Sequence, residues 1–225
     1  MAYGPLPYAT LFYKVLGMTM PARKLGPPDH PSDQPPAALH DRAIDDLRYI
    51  RETMVRSAAF TAISGVGVAA MGVVAVVAFL VARGTTPTGW VGTWMVAAVV
   101  GFLVSLGATV HKAQRIGETL TTGPGRRFVL GSAPALVVGG LLTWPILGTG
   151  RIELLPPVWI LLYGTAVTAG GAFSVRPVPL MGLAFLGAGV IALLLPSGYE
   201  NATMLAAFGG LHIIFGTWIS WRHGG

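Results

Sequence analysis

His212 is the one ionisable side chain that falls near the middle of a long apolar stretch of this sequence. An imidazole there can ligate a metal or haem iron, accept a proton, or hold a hydrogen bond between helices. A polar group at that depth is costly and marks a functional position by default. The competing role is structural: a neutral ring bonded to a neighbouring helix. Tyr163, Thr143 and Thr168 are its candidate partners, and with His212 they form the candidate intramembrane polar site.

Haem ligation asks for two histidines at one depth, and the pair would have to be His212 and His111. His111 falls at the end of the second apolar stretch. His212 lies about nine residues inside the last one, roughly 13 Å deeper at 1.5 Å per helical residue. A bis-histidine haem within one chain is therefore not expected. His212 and His111 stay weak single-ligand candidates, and no cofactor is favoured. The sequence has no cysteine, which removes disulfides, thiolate metal sites and thiol nucleophiles together. No acidic residue falls inside an apolar stretch, which argues against transport coupled to an intramembrane carboxylate. No Ser/His/Asp set is readable, so an enzyme is not expected.

Two further segments could make contacts. Residues 39–57 carry Ala43, Leu47, Ile50 and Met54 at spacings of four, three and four, which places them on one helical face. Asp41 is suited to cap this amphipathic helix, and Glu52 and Arg56 are spaced as an i, i+4 pair. Leu47, Ile50 and Met54 could lie on a lipid surface or form a short seam with a partner helix. The segment Thr121-Thr122-Gly123-Pro124-Gly125-Arg126-Arg127 is glycine-rich and basic but lacks the lysine-serine/threonine end of a phosphate-binding loop. Arg126 and Arg127 read as an orientation anchor that could also meet anionic lipid heads.

The elements that hold these residues follow from composition. Of 225 residues, 53% are hydrophobic and 11% charged, against about 25% charged in soluble domains. The mean hydropathy is +0.65. The apolar residues fall in blocks long enough to cross a bilayer, about 17–25 residues each. Six spans are expected, at 58–82, 89–110, 128–148, 156–174, 178–196 and 203–221. The reading is an all-α membrane bundle. Residues 1–38, with Pro27, Pro28, Pro31, Pro35 and Pro36, read as an extended, disordered N-terminal segment. Met18 and Met20 are possible alternative starts, and residues 222–225 form a short tail. Glycine, at 31 residues, suits close helix packing in a bilayer. All six tryptophans fall near expected span ends, where indole prefers the interface.

Thirteen of the 15 Lys and Arg residues lie before the first span or in the loops on that same side. The positive-inside rule then places both termini in the cytoplasm. The net charge of +6 has that origin, and nucleic acid is not an expected partner.

Asp46-Leu47-Arg48-Tyr49-Ile50-Arg51-Glu52-Thr53-Met54 and Phe60-Thr61-Ala62-Ile63-Ser64-Gly65 carry a resemblance. So do Gly170-Gly171-Ala172-Phe173-Ser174-Val175-Arg176 and Phe208-Gly209-Gly210-Leu211-His212-Ile213-Ile214-Phe215-Gly216. From Asp41 onward the chain resembles a group of small bacterial six-span membrane proteins. The resemblance implies a bacterial inner-membrane location and brings no activity with it. The expected function is a non-enzymatic membrane protein that binds a protein partner or a second copy of itself, with the lipid bilayer as its other contact. A small-molecule transporter with a polar site at His212 and a haem-type cofactor subunit are the alternatives.

Overall fold

The computed structural model describes residues 36–57 and 59–223. The readings that concern residues 1–35 lie outside them. The chain divides between Tyr49 and Ile50 into two units. Every described residue in regular structure is helical, apart from a single bridge between Phe60 and Ser174.

Helix α1 runs Pro36–Ser57. It begins before the expected 39, because proline lacks only an N–H that the first turn leaves unpaired anyway. Asp41 therefore sits inside the helix and not at its cap. Leu47, Ile50 and Met54 are exposed on it, Leu47 at 66%.

Six helices follow that are long and apolar enough to cross a membrane, the architecture of a multi-pass membrane protein. They are α2 (Gly65–Ala82), α3 (Pro87–Ile116), α4 (Gly123–Gly148), α5 (Leu155–Gly171), α6 (Pro177–Leu194) and α7 (Glu200–His223). Their starts follow local chemistry. Ser64 caps α2 by accepting the Gly67 N–H at 3.1 Å, and Thr86 caps α3 by accepting the Gly89 N–H at 3.2 Å. Prolines occupy the first turns of α3 to α6. The third span starts at Gly123, ahead of the expected 128, so Arg126 and Arg127 belong to the first two turns of α4. A short 3₁₀ turn, Ile152–Leu154, leads into α5.

The expected first span is wrong at its start. Residues 59–64 are extended and not helical, although Phe60, Ala62 and Ile63 are buried. A buried backbone without helical bonds needs other partners, and this one has them. Phe60 N–H donates to Phe173 O at 2.7 Å, and Ser174 Oγ donates to Phe60 O at 2.7 Å. Thr61 gives its N–H and hydroxyl to Glu118 at 3.2 and 2.6 Å. Ser64 N–H reaches Thr109 Oγ1 at 3.4 Å. The expected fourth span also ends early, at Gly171, because Phe173 and Ser174 leave the helix to make this pairing.

Lys112 ties the same end of the bundle together. Its ammonium donates to Ile63 O at 3.1 Å and to His223 O at 2.7 Å. The entry to α2 and the exit of α7 are therefore on one side of the bundle. Lys112→Met leaves both carbonyls without this charged donor, and such bonds contribute about 1.5–3 kcal/mol each. The expected result is faster amide exchange over residues 60–64 and over the last turn of α7, with the middle of the spans unchanged.

Within the spanning unit, α2 packs against α3 and α7, α5 against α4 and α6, and α7 closes onto α6. The helices α3 and α4 are consecutive, yet they do not pack together. Close approach elsewhere is permitted by glycine. A Cβ on Gly72 would stand 2.8 Å from Gly209 O, and one on Gly164 would stand 2.8 Å from Leu186 N. Backbone meets backbone at the α2/α7 and α5/α6 contacts, so both are closely packed seams.

Candidate functional site

The open seam between α3 and α4 leads to a cavity of about 350 Å³. Its mouth is formed by Val99, Phe102 and Leu103 of α3 and Leu136 and Gly140 of α4, all exposed. Its floor is formed by Trp159 and Tyr163 of α5 and by Met204, Phe208 and His212 of α7. Asp, Glu, Lys and Arg are absent from the lining. The volume falls in the range of small-molecule sites, about 300–1,000 Å³.

His212 is 1% exposed. Its Nε2 lies 2.7 Å from Tyr163 Oη and its Nδ1 lies 2.8 Å from Phe208 O. A carbonyl only accepts, so Nδ1 carries the proton. Buried among rings without a countercharge, the imidazole is neutral. Nε2 then offers a lone pair, and Tyr163 donates to it. Backbone geometry makes this possible. Residues Leu205–Leu211 are wound as a π-helix. The His212 backbone N–H turns to Gly209 O, and the ring reaches the Phe208 carbonyl instead. Such π segments recur at functional positions in helices. Phe185 and Phe208 wall the pair, at 5.1 and 5.9 Å from the imidazole between ring centroids.

Of the expected partners, Tyr163 alone bonds His212. Thr143 lines the same cavity, but it donates to Gly139 O at 2.9 Å and accepts from Trp159 Nε1 at 2.9 Å. Thr168 is not in the cavity lining. It donates to Gly164 O at 2.8 Å and lies against Gly182 in the α5/α6 seam. His111 is exposed on α3. Both ring nitrogens of His212 are engaged by protein groups. Among the described residues, no three His, Asp or Glu side chains converge as a metal site. Arg126 is exposed, and Arg127 lies over the Phe173 ring at 6.0 Å.

The tryptophans divide. Trp144 and Trp221 are exposed, Trp221 at 89%, as an interfacial ring requires. Trp90 and Trp94 are buried, Trp94 to 3%. Trp90 stacks on Trp159 at 5.9 Å with the rings 1° apart, and both Trp90 and Trp94 donate to Asn201 Oδ1 at 3.2 Å. Asn201 in turn donates to Phe79 O at 3.2 Å. Sequence reasoning missed this group. Its signal was an isolated amide beside an apolar span, facing indoles whose N–H groups need acceptors.

No family model matches the chain, and neither the curated proteins nor the solved structures contain a match to it.

Proposed function

We propose that this membrane protein binds an uncharged, lipid-soluble small molecule in the cavity between α3 and α4, entered sideways from the bilayer. One observation carries the reading: two consecutive spans stay apart and expose an apolar cavity whose floor is a hydrogen-bonded tyrosine–histidine pair. A wall without ionised groups favours an uncharged ligand over an ion, which would need charges or carbonyls to replace its water. The setting proposed is a bacterial inner membrane, with both termini cytoplasmic on the strength of the positive charge on that side.

The test is purification in mild detergent from native membranes, followed by solvent extraction and mass spectrometry. A single lipophile should be enriched to near stoichiometry. Gly140 stands at the mouth, and a Cβ there meets nothing within 4 Å. Gly140→Trp should therefore fill the mouth, keep the fold and remove most of the co-purifying ligand. An extract matching bulk membrane lipid in both proteins would sink the proposal.

A second reading is partner binding through α1, favoured by the exposure of Leu47 and Ile50. The partner is a helix of another protein or a second copy of this chain. Cross-linking from position 47 in native membranes separates the two occupants.

A further inference from the structure

We infer that the cavity selects a lipophile whose polar end is a hydrogen-bond donor, an alcohol or phenol, over one that only accepts. The inference rests on the ligand-binding reading above and adds the chemistry of the ligand's head. It comes from the polar side-chain groups among the described lining residues, of which there are five.

Each donor among them is already committed to a protein acceptor. Trp94 gives its N–H to Asn201, Trp159 gives its N–H to Thr143, and Thr143 gives its hydroxyl to Gly139 O. His212 gives Nδ1–H to Phe208 O, and Tyr163 gives its hydroxyl to His212 Nε2. What remains are lone pairs on Tyr163 Oη and Thr143 Oγ1, each an acceptor with capacity left. An incoming ether or ester finds no donor and loses nothing by staying in the lipid. An incoming O–H finds an acceptor in a place without water to compete. Selectivity of this kind arises because the site's own polar groups decide which partner is left unpaired.

His212 sets the sign of this selection. By accepting the tyrosine's hydrogen bond, it turns Tyr163 from a donor toward the cavity into an acceptor. His212→Leu should release that O–H and let the cavity receive an ether.

The experiment uses the full chain with Trp144, Trp218 and Trp221 replaced by phenylalanine, in phosphatidylcholine nanodiscs. Fluorescence of the remaining indoles, Trp90, Trp94 and Trp159, is quenched by two matched probes, 12-bromododecan-1-ol and 1-bromo-12-methoxydodecane. The alcohol should half-saturate the quenching at about a tenfold lower mole fraction, equivalent to about 1.4 kcal/mol. In His212→Leu the ether should bind at least as well as the alcohol. Equal saturable quenching by both probes in the parent chain would overturn donor selection and leave ligand binding standing. Quenching that never saturates with either probe would overturn both. Unchanged discrimination in a folded His212→Leu protein would remove Tyr163 as the selecting acceptor. If that variant fails to fold, the parent comparison alone decides.

Discussion

Gly216→Leu is expected to prevent assembly of the membrane-spanning unit, seen as loss of the monodisperse protein peak in mild detergent. A Cβ on Gly216 would overlap the Ala69 backbone nitrogen and stand 2.7 Å from Ala69 Cα. The obstacle is helix backbone, so no side-chain rotation relieves it. Overpacking in a core costs about 1–3 kcal/mol when side chains can shift, and more when they cannot. The facing residue confirms the geometry, since a Cβ on Gly65 would stand 2.6 Å from Gly216 O. Gly210, in the same helix, faces open space. Gly210→Leu should therefore be tolerated. Equal loss in both variants would mean that general helix propensity, not the α2/α7 seam, limits assembly.

Asn201→Leu should destabilise the opposite end of the bundle by about 2–4 kcal/mol, taking each orphaned buried group at about 1–3 kcal/mol. The change strands the Trp90 and Trp94 indole N–H groups together. It also removes the donor to Phe79 O, one of the last carbonyls of α2, which lack helical partners. Trp90→Phe removes one donor along with its need for an acceptor, and Asn201 stays bonded to Trp94. Its cost should be smaller. The midpoint of unfolding in sodium dodecyl sulfate checks the order, and a blue shift of the buried indole emission in Asn201→Leu reports loss of their polar partner. A Trp90→Phe cost equal to or above that of Asn201→Leu would assign the stabilisation to ring stacking instead.

The candidate site was half legible. His212 was recognisable because one imidazole in an apolar stretch has few bland explanations, and Tyr163 was among three partners named for it. Thr143 and Thr168 were equally eligible by composition. Only the rotation of α5 and the π-helical turn of α7 decided between them. One side chain reaches the ring, one meets Trp159, and one faces Gly182. Asn201 went unread because an amide near a span end looks like loop chemistry until the indoles are seen to face it.

Span number, order and approximate length were determined by the sequence alone. The hydrocarbon core imposes a minimum apolar run on any helix that crosses it, and that requirement is local. Span ends were less so. Residues 59–64 are apolar enough to continue a helix, and they are extended because Phe173, Ser174, Glu118 and Thr109, distant in sequence, supply the backbone bonds a helix would have supplied. The separation of α3 from α4, and with it the cavity, was decided only by tertiary structure. Whether two neighbouring spans touch depends on which faces the rest of the bundle leaves for them, and no local pattern along either helix carries that information.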